Sequence, residues 1–219
     1  KVSIIIRTKN EERWISSCLS SINDQEYRDY EVIIVDNNSI DQTTSKAKKY
    51  GVKKILEIKD YLPGKALNLG IKHSAGKYIV CLSVHCIPVN NQWLSKLVSS
   101  LEEDSTFAGV YGRQQPMSFS SLSDKRDLMI VFGLDRKVQI KDSFFHNANS
   151  IIKKEFLDKF PFDENTTNIE DRIWGKKIID SGFKLLYEPD ASVFHYHGIH
   201  QDNNLQRLSN IVNIIEKSN

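Results

Sequence analysis

The chain has 219 residues, enough for one large domain with a buried core, and its 40% hydrophobic and 26% charged content is that of an ordinary globular protein. A formal net charge of +2 argues against nucleic acid as a bulk polyanionic partner, although a local basic pocket for a small phosphorylated molecule stays open. No apolar run approaches the ~20 residues that cross a bilayer, so any membrane contact is expected to be peripheral. The three cysteines, Cys18, Cys81 and Cys86, are odd in number and form no C-x-x-C pair, which favours a reducing, cytoplasmic setting. Lys1 opens directly on strand-like sequence, without an initiator methionine or a signal peptide, and the expectation is a domain excised from a longer, multidomain polypeptide.

Val2 to Ile6 is a short β-branched run, and after RTKNEE the residues Trp14, Ile15, Cys18, Leu19 and Ile22 share one helical face. Glu31 to Val35 predicts a second buried strand that ends at Asp36-Asn37-Asn38-Ser39. Asp41 to Tyr50 predicts a helix with Gly51 as its stop. A third strand covers Lys54 to Ile58. After Pro63-Gly64 a helix carries Leu67, Ile71 and Ala75 on one side and ends at Gly76. Tyr78 to Leu82 is a further buried strand, after which Ser83-Val84-His85 turns polar and Pro88 is expected to stop any regular continuation.

Asn91 to Glu103 has clear helical spacing, Ala108 to Tyr111 reads as a strand, and Gln114 to Lys141 as an excursion with one helix near Ser123 to Phe132. A strand at Ser150 to Lys153, a helix from Glu170 to Ser181 ending at Gly182, and two strands, Phe183 to Tyr187 and Ser192 to Tyr196, complete the domain. Leu205, Leu208, Val212 and Ile215 predict a terminal helix over 201–219 that docks on the domain or leads into a further one. Strands alternating with helices at this spacing imply right-handed βαβ units and a mainly parallel α/β sheet flanked by helices. In such sheets ligands bind beyond the carboxyl ends of the strands, which makes Ser83 and His85 the first candidates to face a substrate.

Four stretches then fall into one pattern: VSIIIRTKNEE (Val2 to Glu12), EVIIVDNNSIDQT (Glu31 to Thr43), Gly76 to Pro88 with its strand-end triplet, and IEDRIW (Ile169 to Trp174). Together they resemble family 2 glycosyltransferases of the GT-A fold, a Rossmann-like nucleotide-diphospho-sugar transferase architecture, over residues 1–200. The resemblance implies transfer of a sugar from a nucleotide-activated donor to a hydroxyl of a glycan or lipid-linked glycan, with inversion, in surface polysaccharide synthesis. Family habit places such an enzyme in the cytoplasm or at the inner face of the membrane. It also implies that Arg7, Thr8, Asn10 and Glu11, with Asp36 and Asn37, receive the nucleotide, and that Lys65 and Asn68 lie near the diphosphate.

This sequence departs from the family at the triplet, where most members carry Asp-x-Asp to hold a divalent cation. Ser83-Val84-His85 offers no carboxylate, a poor match for magnesium, whereas an imidazole suits manganese better. His85 with His195 or His197 is the candidate metal set. The other reading is metal-free action, with Arg7, Lys65, Arg113 and Arg172 as candidate cations for the leaving group. Glu170-Asp171 matches the family's acidic pair, with Asp171 implied as general base, Glu170 in support and Trp174 as a wall. Thr167 with Glu170 also matches a capping box, a purely structural account of the same residues. Phe144, His146, Asn147 and Asn149 are implied to shape the sugar pocket. The lost triplet carboxylates leave one alternative in a different class, a non-catalytic nucleotide-sugar or glycan-binding module of the same fold.

Overall fold

A computed structural model of the chain describes residues 1–196 and Ser209. His197 and the predicted terminal helix lie outside the described residues. The elements in order are β1 (Val2–Thr8), α1 (Ile15–Asn23), β2 (Tyr30–Asp36), α2 (Thr43–Ala47) with a short 3-10 turn, β3 (Lys54–Glu57), α3 (Pro63–Lys72), β4 (Tyr78–Ser83), β5 (Cys86–Pro88) and α4 (Trp93–Glu102). Then follow β6 (Phe107–Pro116), α5 (Leu122–Val131), β7 (Lys137–Gln139), β8 (Asn149–Lys153), α6 (Lys154–Lys159), α7 (Glu170–Asp180) and β9 (Lys184–His195).

The sheet runs β3-β2-β1-β4-β8-β6-β9-β5, with β7 pairing β9. Six strands point one way, and β5, β7 and β8 run against them. The architecture is therefore the mainly parallel α/β sheet expected of a GT-A domain. β1 lies centrally and is covered on both faces, which is why its sequence is continuously apolar. Alternate residues serve opposite layers: Ile4 and Ile6 pack with α1 and α4, and Ile5 packs with α3 and α7. Among the described residues no helix is long and apolar enough to cross a membrane.

The register delivers the strand ends to one rim. Thr8 stands opposite Asp36, Arg7 opposite Ser83, and Leu82 opposite Asn149, so the residues before β8 arrive beside the ends of β1 and β4. Several expectations need correction. α3 ends at Lys72, three residues before Ala75, because His73 and Ser74 cap it by turning their amides onto Gly70 and Ile71 carbonyls. A short edge strand, β5, forms after the Ser83-Val84-His85 turn, and it ends on Pro88 as expected, at the edge of the sheet where a missing N–H is tolerated. The two expected final strands are one, β9, which follows β6 across register shifts. α6 and β7 are each too short to show a period in the sequence.

Candidate active site

At this rim lies a cleft of about 330 Å³. Its walls come from the end of β1 (Arg7, Thr8, Lys9, Glu11), Asn37 after β2, Tyr61 and Pro63 at the start of α3, and Ser83-Val84-His85 after β4. His146 to Ala148, Thr167 and Asn168, Glu170 and Asp171, and His195 close it. Segments distant in sequence meet there because parallel strands all release their loops on one side of the sheet.

The acidic pair opens α7. The preceding Asn168 takes a left-handed conformation (φ 69°), tolerable for Asn, and this turns the chain so that the first helical turn enters the cleft. Thr167 does not cap the helix: the cap position is Ile169, with no side-chain hydrogen bond, so the capping-box reading fails. Instead Glu170 accepts a charged hydrogen bond from Arg7 at 3.0 Å, with only 5% of its side chain exposed. Asp171 accepts the amide N–H of Arg172 on Oδ1 (2.8 Å) and that of Asn147 on Oδ2 (3.1 Å).

Burial pushes the carboxyl of Asp171 above the usual carboxylate range, against the pull of the Asn147 amide, Arg172 and Arg7. Burial also raises Glu170, opposed by Arg7 and reinforced by Asp171. Two adjacent buried carboxylates thus share one guanidinium. Asp171 is a buried carboxylate held by two amides at the wall of the cleft.

The other candidates divide. Arg7, Thr8, Glu11, Asn37, Ser83, His85 and His195 line the cleft; Asn10, Asp36, Lys65 and Asn68 do not. Asp36 is 2% exposed and accepts from Thr8 Oγ1 (2.8 Å), Ser39 N (2.8 Å) and Ser39 Oγ (2.6 Å), so it closes the turn that presents Asn37. Asn10 ties the β1 loop to Ser39 and Ile40. Lys65 pairs with Asp60, and Asn68 clamps Phe162 and Glu164. Arg113 and Arg172 are also outside, the first directed to the Phe132 carbonyl and the second lying over the Phe144 ring. Trp174 is fully buried in the core, and Asn149 supports Trp93 and the Ala191 carbonyl. Lys9 and Tyr61 line the cleft without having been singled out; Lys9 sits within the RTKNEE loop whose neighbours were named, and Tyr61 marks the residue pair before a Pro-started helix.

The described residues do not fit a metal held by protein ligands alone. Among the described residues no three His, Cys, Asp or Glu side chains converge as a metal site needs. His85 and His195 stack at 5.1 Å with ring planes 9° apart, and imidazole lone pairs lie in the ring plane, so the two do not aim at one ion. His85 Nδ1 instead faces Glu11 Oε1 at 3.5 Å.

The family model for Glycosyl transferase family 2 matches residues 3–160. Glycosyltransferase AglE of Haloferax volcanii is 27% identical over 89% of this chain and 66% of that protein. A Methanococcus voltae protein named as a dolichyl N-acetyl-alpha-D-glucosaminyl phosphate 3-beta-D-2,3-diacetamido-2,3-dideoxy-beta-D-glucuronosyltransferase is 28% identical, with the same coverage of each chain. The mannosyltransferase PcManGT of Pyrobaculum calidifontis, solved with GDP-Man and Mn2+, superposes with a TM-score of 0.70 at 21% identity, over 89% of this chain and 56% of that one. The chain thus spans about two thirds of the length of these curated relatives.

Proposed function

The chain belongs to glycosyl transferase family 2, and on that premise we propose that it moves a sugar from a nucleoside-diphosphate donor to a hydroxyl of a glycan or lipid-linked glycan. Support for the acceptor class comes from the Methanococcus relative, whose name specifies a lipid-linked sugar phosphate, and for the donor class from the GDP-Man complex. The observation that carries the reading is Asp171: a buried carboxylate anchored on both oxygens at the wall of the cleft formed by the strand ends.

In this reading the nucleotide lies along Thr8, Glu11 and Asn37, with the diphosphate toward Ser83 and His85. Asp171 takes the proton from the acceptor hydroxyl as its oxygen bonds to the anomeric carbon. The bond from that carbon to the diphosphate breaks, and the diphosphate leaves with the electron pair. Attack opposite the leaving group inverts the anomeric centre. Lys9, an exposed cation of the cleft, and the His85 imidazole meet the leaving charge.

Two outcomes follow. Because the donor set does not suit a protein-held cation, exhaustive chelation is expected to leave transfer within about threefold of the untreated rate, a small term beside the ~10²-fold that a base supplies. Complete loss restored by manganese would replace this version with a metal-dependent one. Asp171 must be ionised to act and its proton is held more tightly than usual, so kcat/KM is expected to rise with pH through a midpoint above the ordinary carboxylate range. A rate already flat across the ordinary carboxylate range would be inconsistent with that assignment.

The missing triplet carboxylates favour a second reading, a binding module without turnover. It predicts nucleotide-sugar affinity with no transfer to any acceptor, in wild type and Asp171→Asn alike.

A further inference from the structure

Arg7 is an unusual residue for its position. It sits near the end of the central strand, between Val35 and Ser83 in the sheet register, and its side chain is only 19% exposed. A cation at a nucleotide-binding rim invites assignment to the donor phosphates. Its observed partner is instead Glu170, reached across the cleft floor at 3.0 Å. The first turn of α7 has no side-chain cap, and beside the burial of Ile169 the contacts of Glu170 with Arg7 and of Asp171 with Asn147 tie that turn to the sheet and to the β8 loop.

We infer that Arg7 is a positioning residue for the base: by pairing with Glu170 it pins the first turn of α7 and neutralises one of two neighbouring buried carboxylates, leaving the other, Asp171, ionised and directed to the acceptor. The inference rests on the role of Asp171 proposed above. The charged and titratable groups around the pair are few. Arg172 follows Asp171 on α7, Tyr61 and Cys81 face Arg7, and the Cys81 thiol is pushed up to about 12 by burial and stays neutral. The wider cleft adds Lys9, Glu11, His85, His146 and His195. His146 Nδ1 is engaged by the Ala148 amide and by Gln114 Nε2. Burial favours the neutral form of Arg7, yet Glu170 in first place among its neighbours holds the guanidinium above its ordinary value, so Arg7 is a permanent charge here.

The two possible jobs of Arg7 separate in kinetics. Arg7→Met keeps length and removes charge. As a positioning residue, its loss is expected to move the acid limb of kcat/KM upward by about one pH unit or more and to lower kcat at pH 7 about tenfold, with donor KM within about threefold. Arg7→Lys is expected to restore most of both. A donor KM raised on the order of 100-fold with the limb unmoved would overturn the inference and make Arg7 a phosphate ligand. If Arg7→Met does not fold, the double variant Arg7→Met/Glu170→Gln removes both charges. It is expected to fold and to recover the wild-type acid limb, and a limb still displaced upward in the double variant would also overturn the idea.

A reading that needs no substrate completes the test. Carboxyl 13C shifts of Glu170 and Asp171 are expected to titrate at higher pH in Arg7→Met than in wild type. Unchanged titrations would overturn the positioning role even in an active enzyme. Absence of transfer by wild type would instead count against the proposed function and leave these titrations readable.

Discussion

Asp171→Asn is expected to lower turnover by about 100-fold or more while the domain stays folded. The substitution is nearly isosteric, and two opposing effects act on stability. The native carboxyl has its proton affinity raised by burial, so the folded state binds that proton more tightly than the unfolded chain. A group with a raised folded pKa lowers stability as pH climbs from the unfolded to the folded value, and the amide removes this cost at neutral pH. Against that, the amide has one acceptor oxygen for the two N–H groups of Asn147 and Arg172, so one donor loses its partner. The terms offset, and the melting midpoint is expected to move by no more than about 4 °C, the equivalent of roughly 1 kcal/mol in a domain of this size. Turnover and unfolding measured on the same preparation check both halves. A variant with near wild-type rate would remove Asp171 from the mechanism.

Gly64→Ala is expected to damage both stability and rate although no reacting group is touched. Gly64 is the second residue of α3, directly after Pro63 at the cleft wall, and lies against the segment that leads into α7. A Cβ there would meet the Asp163 carbonyl oxygen at 1.8 Å and its carbon at 2.8 Å, both backbone atoms that no rotamer can move away. That segment cannot drift freely. Asn68 donates to the Phe162 carbonyl and to Glu164, and Asp163 accepts the amides of Asn165 and Thr166. The clash therefore transmits along the segment to Asn168 and the first turn of α7. Overpacking of this kind costs about 1–3 kcal/mol, and misplacing a catalytic group by 1 Å costs on the order of 100-fold in rate. Melting and kcat are the checks; wild-type values in both would show that the segment yields without moving α7.

The central strands and the helices that cover them were legible because burial on two faces forces continuous apolar runs and 3.6-residue stripes. The ends of β1, β2 and β4 fell within one or two residues of expectation for the same reason. What the sequence could not carry was side-chain commitment. Asp36 and Asn37 are neighbours of similar chemistry, yet the first is spent on Thr8 and Ser39 and only the second lines the cleft, a distinction made by strand pairing. Lys65 and Asn68 look like phosphate contacts at a helix start, but their partners lie at Asp60 and in the 160s, and the latter are far off in sequence. Arg7 was legible as a rim cation, and its tie to Glu170 was not, because 163 residues separate them. The strands expected at Phe183 to Tyr187 and Ser192 to Tyr196 are one, β9, whose pairing with β6 shifts register between Glu188 and Val193, an irregularity with no periodic signature in the sequence.

The central claim is that this cleft receives an activated sugar beside a waiting base. Its most direct test is a crystal structure of the chain with a nucleoside diphosphate chosen from a panel by binding. The account predicts the base and ribose against Thr8, Glu11 and Asn37, the phosphates toward Ser83 and His85, and the Asp171 carboxylate facing the space beyond the terminal phosphate. A nucleotide bound elsewhere, or seated in the cleft with Asp171 turned from that space, would contradict it.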